Sequence, residues 1–188
     1  MSAASARERI LSTASELFYR EGYRATGIDR IIAESGVAKM SFYRHFPSKA
    51  DLILAYLEHR HAEWMDWFTA ALKAQIVATG EIRLALVADV LGSWLEDADF
   101  RGCAFINAVA ETGLSADGAM REAAVRHKES LVAYFATLLG HESDTWVARA
   151  VVLIVDGLIV RYQTTKNRQE IDAARQLLQA LESAIRQK

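Results

Sequence analysis

The sequence predicts an all-α protein of about nine helices, with a small three-helix N-terminal domain built around a helix-turn-helix and a larger helical domain behind it. Three observations carry this reading. Pro47 is the one proline in 188 residues, so almost the whole chain is free to be helical. Apolar residues recur at helical spacing in one segment after another. Gly80, Gly102, Gly113, Gly118 and Gly140 fall between those segments as punctuation.

The first helix is expected from about Ala4 to Glu21, where Ile10, Leu11, Ala14, Leu17 and Phe18 form one apolar stripe and Gly22 ends it. A second, short helix spans Ile28–Ser35, with Ile28, Ile31 and Ile32 inward and Thr26 and Asp29 at capping-box spacing. Gly36 supplies the positive φ of a tight turn, and a third helix, Ala38–His45, buries Phe42 and Phe46. Pro47 stops that helix, and Ser48 with Asp51 opens the next one, Lys49 to about Ala78. Five more follow: Ile82–Glu96, Ala104–Glu111, Ala119–Leu139, Asp144–Thr165 and Gln169–Arg186. Val151–Val155 reads as a strand in isolation, but the spacing Val151, Ile154, Leu158, Tyr162 favours a helix. The domains are placed at residues 1–50 and 51–188.

Composition narrows the function. The longest apolar stretch, Val147 to Val160, is broken by Arg149 and Asp156, so no membrane partner is expected. The start of the chain lacks a secretory apolar region, and the single Cys103 cannot form an internal disulfide; both point to the cytoplasm. Net charge is −2, yet residues 1–60 hold 9 Lys/Arg against 7 Asp/Glu, while the rest hold 13 against 17. From Gly36 to Ala50 lie Lys39, Arg44, His45 and Lys49 without one acid, a local basic face suited to a polyanion.

Two short helices joined at a glycine, the second displaying cations and hydroxyls, are how a helix-turn-helix presents itself to double-stranded DNA. Lys49 with the first amides of its helix, and Thr26 with the Gly27 amide, suit phosphate oxygens. Lys39, Met40, Ser41 and Arg44 are the expected base readers, a cation to guanine and Met40 to a thymine methyl.

The larger domain offers two further features. Val151, Ile154, Leu158 and Ile159, with Ile171, Leu177, Leu178, Leu181 and Ile185, give the last two helices more apolar surface than a terminal pair needs, so a homodimer through them is expected. Trp64, Trp67, Phe68, Trp94 and Phe105 are candidate walls of an apolar effector cavity. Asn107 and Glu111 share a helix face, and with His127 and Asp156 they make four polar groups amid apolar neighbours. A divalent cation, a polar effector and a self-satisfied buried network all remain open for that set; no cofactor is required. A metal-dependent helical enzyme using Glu111, His127 and Asp156 is the alternative, opposed by the lack of any nucleophile elbow, phosphate loop or His-Glu-x-x-His pattern.

Residues 5–60 resemble the N-terminal domain of the TetR/AcrR family of transcriptional regulators. The resemblance runs through Ile10-Leu11, Ala14, Leu17-Phe18, Gly22-Tyr23, Thr26, Ile31-Ile32-Ala33, Gly36-Val37, Phe42-Tyr43, His45-Phe46, Ser48-Lys49 and Leu52. It implies phosphate contacts from Tyr43 and His45 and pairing of the last two helices into an intersubunit four-helix bundle. It also implies a repressor released from a palindromic operator by a small-molecule effector. The stretch Arg101–Glu111 resembles the start of the sixth helix in part of that family.

Overall fold

The computed structural model describes residues 4–112, 118–140 and 145–186, which form nine α-helices and no strand. They are α1 (Ala6–Glu21), α2 (Ile28–Ser35), α3 (Lys39–His45), α4 (Lys49–Thr79), α5 (Ala85–Leu95), α6 (Ala104–Thr112), α7 (Ala119–Leu139), α8 (Trp146–Thr165) and α9 (Gln169–Arg186). Gly113 and the Asp144 start expected for α8 lie outside the described residues. The described residues divide into two compact units, 1–62 with 104–125, and 63–103 with 126–188. The first unit takes in the start of α4, all of α6 and the start of α7.

The first unit closes α1, α2 and α3 over one core. Ile10, Ala14, Leu17 and Phe18 of α1 are buried, as are Ile31, Phe42, Leu52, Tyr56 and Leu57. Phe18, Tyr23 and Tyr56 form a ring cluster with centroids 5.3–5.9 Å apart. Truncating a fully buried ring such as Phe18 to alanine costs about 3–5 kcal/mol.

Side-chain caps set the starts of α1 and α4. Ser5 caps α1, its N–H donating to Glu8 Oε2 at 2.7 Å and its Oγ accepting from the Glu8 N–H at 3.2 Å, so α1 begins at Ala6 rather than Ala4. The Ser48–Asp51 capping box forms as expected, with reciprocal bonds of 3.0 and 3.1 Å. The Thr26–Asp29 box does not. Gly27 is the N-cap of α2, so Thr26 stands one residue too early, and its hydroxyl donates to the Gly22 carbonyl at 2.8 Å.

In the second unit α5 packs against α9 and α8, and α8 against α9. Val151–Val155 is helical, and Val151, Val155, Leu158, Ile159, Ile171 and Leu178 are buried. Most of the residues expected at a dimer face therefore fill this unit's own core. Other residues are exposed. On α8, Trp146, Leu153, Gly157 and Val160 fall on one helical stripe; on α9, Ala173, Leu177, Ala180 and Ala184 do the same. Leu153 is 72% exposed and Leu177 58%, and beyond its own helix backbone and chain neighbours no described atom lies within 4 Å of a Cβ built on Gly157. No described helix is long and apolar enough to cross a membrane.

Candidate functional site

The turn between α2 and α3 is fixed from the backbone outward. Gly36 adopts φ 63°, ψ 33°, a left-handed conformation that costs a side-chain-bearing residue about 1–2 kcal/mol. Val37 beyond it is buried, and Phe42 and Phe46 anchor α3 from beneath, their rings 6.3 Å apart. With that side committed to the core, the opposite side of α3 must face out. Met40 is 82% exposed, Lys39, Tyr43 and Arg44 are exposed, and Ser41 and His45 are half-buried.

No acid lies within α3. Lys39 meets Asp29 at 3.4 Å, with both side chains mostly in solvent, so the pair is worth little and is readily exchanged for another anion. Arg30, by contrast, is held between Glu21 and Glu34, which raise its pKa, and its guanidinium in turn holds the Glu21 carboxyl below its usual range. Arg30 is thus occupied, whereas α3 presents cations with few competing partners.

Lys49 opens α4 beside these residues. Burial lowers the pKa of its ammonium below the ordinary lysine value, and the Glu111 carboxylate pushes part of the way back. Gly27, at the start of α2, is exposed with open space around it, so its amide is reachable. Thr26 differs from expectation. Its side chain is fully buried and its hydroxyl is spent on Gly22, so it serves the loop rather than an outside phosphate.

Glu111 also departs from its expected role. It belongs to the first unit, where its carboxylate accepts from the Tyr23 N–H at 2.7 Å and the Arg24 N–H at 3.0 Å. Its carbonyl accepts from Arg24 Nε at 2.7 Å, and the Tyr23 hydroxyl donates to the Ala104 carbonyl at 2.9 Å. Gly22, at φ 90°, admits this approach, because a Cβ there would lie 2.9 Å from Glu111 Oε2. α6 is thereby bolted to the loop that delivers α2. Phe105 and Asn107 sit on the same helix, Phe105 buried with its ring 6.5 Å from His61 and Asn107 half-buried.

The second unit holds a dense aromatic cluster. Trp64 stacks on Phe68 at 4.9 Å and 8°, and meets Trp94 edge-on at 5.8 Å and the buried His127 at 5.6 Å. Trp67, partly exposed, lies 6.3 Å from Trp94. Trp64 is 9% exposed, and its indole N–H is buried without a hydrogen-bond acceptor. Such a donor costs about 1–3 kcal/mol until something accepts from it. Sequence reading missed Lys166, whose ammonium lies 4.7 Å over the Phe100 ring and 5.7 Å over Tyr162.

Asp156 is committed to Lys128, at 2.5 Å. The carboxylates of Glu111 and Asp156 are therefore both spent on groups of this chain. Among the described residues, no group of three or more His, Cys, Asp or Glu side chains is arranged to hold a metal. Of the Asn107, Glu111, His127 and Asp156 set, the two acids thus have local cationic and amide partners that their own helices did not reveal.

Comparison with known proteins agrees with this geometry. Residues 10–56 match the model described as bacterial regulatory proteins, tetR family. The HTH-type transcriptional regulator LmrA of Bacillus subtilis is 53% identical over 47 residues, which is 25% of this chain and 25% of that protein. The chain thus matches about a quarter of the length of such curated relatives. Whole-chain similarity comes from solved structures. A TetR-family transcriptional regulator from Streptomyces coelicolor superposes with TM-score 0.78 at 31% identity, covering 94% of this chain and 93% of that one. A putative TetR-type transcriptional regulator from Streptomyces avermitilis gives TM-score 0.73 at 28% identity, covering 95% and 99%. With its turn glycine, its cationic recognition helix and this end-to-end similarity, the chain belongs to the TetR family of bacterial regulatory proteins.

Proposed function

We propose that the chain is a cytoplasmic, homodimeric, sequence-specific DNA-binding repressor that a small-molecule effector releases from a palindromic operator. The observation that carries this reading is α3, anchored by Phe42 and Phe46 and exposing Lys39, Met40, Tyr43 and Arg44. In this reading Lys39, Met40, Ser41 and Arg44 read base edges in the major groove. Tyr43, His45, Lys49 and the Gly27 amide hold phosphates and set the register.

One such module reaches few base pairs, so two are needed. The exposed stripes of α8 and α9, with open space over Gly157, support a twofold helix-pair interface. The effector site is assigned to the rings around Trp64, whose unsatisfied N–H calls for an acceptor on the ligand. Trp64, Trp67 and Phe68 lie on α4, the helix that Lys49 opens, and the effector acts by preferring the α4 orientation that binds DNA less well. No observation favours the metal-dependent enzyme.

Selection from random duplexes by the purified chain tests the proposal. The expected product is a palindrome with half-sites about one helical turn apart. Enrichment of no sequence at low salt would overturn it.

A further inference from the structure

Trp64 Nε1–H, in the second unit, has no hydrogen-bond acceptor among the described residues, although the side chain is only 9% exposed. Packing alone does not call for an indole there. A phenylalanine at position 64 would keep the stack on Phe68 without burying a donor. Trp64 is also the innermost of three indoles. Trp67 is 36% exposed and Trp94 half-buried, and their rings lie 6.2 and 5.8 Å from that of Trp64. The set thus runs from solvent to the buried donor, with Phe68 stacked on Trp64 and His127 edge-on to it.

The surroundings narrow what can meet that donor. None of Trp67, Phe68, Trp94 and His127 is an acid, and the neighbouring acids of α4, Glu63 and Asp66, are exposed. A cation among these rings would face the positive end of the N–H with no carboxylate from them to offset its lost hydration. An anion would give up its hydration for one neutral donor. Indoles donate and do not accept, so a hydroxyl or amine on the occupant would find no partner on Trp64, Trp67 or Trp94. What remains is an uncharged acceptor on an aromatic frame, since flat rings pack best against other rings. We infer, resting on the effector site proposed above, that its occupant is an uncharged, flat aromatic molecule bearing a carbonyl oxygen. That oxygen accepts from Trp64 Nε1, and the rings lie against Trp67 and Trp94. Indole faces also attract cations, so a cationic aromatic is the rival occupant.

Three bicyclic probes of similar size separate these chemistries: coumarin carries the carbonyl, naphthalene has no acceptor, and N-methylquinolinium is a cation. Isothermal titration calorimetry of each into the purified chain, without DNA, gives the affinities. Coumarin is expected to bind about tenfold more tightly than naphthalene, the worth of one net hydrogen bond. It should also bind more tightly than N-methylquinolinium. Trp64→Phe, checked for folding by circular dichroism, is expected to weaken coumarin about tenfold and leave naphthalene unchanged. Equal binding of coumarin and naphthalene overturns the assignment, as does tighter binding of N-methylquinolinium or no binding of coumarin. If Trp64→Phe does not fold, the wild-type order decides. Operator release is read separately. Coumarin that binds in the expected order yet leaves a bound duplex in place overturns the inducer reading and not the ligand class.

Discussion

Arg24 and Glu111 are tied twice: the Arg24 side chain donates to the Glu111 carbonyl at 2.7 Å, and the Arg24 amide donates to the Glu111 carboxylate at 3.0 Å. The same carboxylate takes the Tyr23 amide, so one acidic side chain satisfies two successive backbone donors just before α2. Glu111→Ala leaves both without that acceptor. A loss of about 2 kcal/mol is expected, since bonds to charged groups contribute roughly 1.5–3 kcal/mol. Urea unfolding measures it, and hydrogen exchange at the Tyr23 and Arg24 amides should accelerate more than exchange within α1. Unchanged exchange there would show that the loop holds its shape without Glu111.

Gly36→Ala isolates the backbone cost of the turn. Beyond the two adjacent residues no described atom lies within 4 Å of the added Cβ, so packing plays no part and only the left-handed conformation is penalised. The expected destabilisation is about 1 kcal/mol, with Gly36→Asn losing less because asparagine tolerates this region. Denaturant midpoints for the two variants check the order.

Lys49 gives a salt prediction and a pH prediction. If its ammonium holds one phosphate, Lys49→Ala weakens operator binding and reduces the slope of log affinity against log salt by about one unit. Because burial depresses the Lys49 pKa, the charge is lost at lower pH than on an ordinary lysine. Affinity should therefore fall on the alkaline side as pH rises through that lowered value, and Lys49→Arg should shift the fall upward. Fluorescence anisotropy titrations across pH compare the two proteins; coincident profiles would remove Lys49 from the phosphate contacts.

Leu153→Glu and Leu177→Glu test the α8 and α9 stripes. Both side chains stand largely in solvent within one chain, so a charge there leaves the isolated fold nearly unaffected. Across a dimer interface it would be buried without a partner, at several kcal/mol. Sedimentation at micromolar concentration should show wild-type dimer and variant monomer. A variant that still sediments as a dimer would place the interface elsewhere.

What was legible in the sequence was local. Ile28–Ser35, Ala119–Leu139 and Gln169–Arg186 are read to the residue, because apolar periodicity marks the bodies of these helices and glycine or the pre-helix turn marks their ends. The exposed cations of α3 follow equally from the position of Phe42 and Phe46 within a few residues. What escaped depends on distant partners. The start of α5 is displaced to Ala85, where the Leu84 amide donates to Glu182, a residue 98 positions away. Glu111 finds its partners 87 and 88 positions earlier, and Asp156 finds Lys128 28 earlier. The apolar face of α8 could not be divided into inward and outward stripes until α5 and α9 were seen to claim one side. Thr26 shows the narrowest failure, a capping motif misread by a single position.

The distribution of indoles gives the chain a built-in optical reporter. Of its four tryptophans, Trp64, Trp67 and Trp94 stand within 6.3 Å of one another in a single group. Trp146 sits apart, on the exposed stripe of α8. Excitation energy shared among the grouped three makes their emission respond together to any molecule that enters their midst. With Trp146 replaced by phenylalanine, the remaining signal belongs to that group alone, and candidate inducers can be screened against the otherwise native chain without a dye.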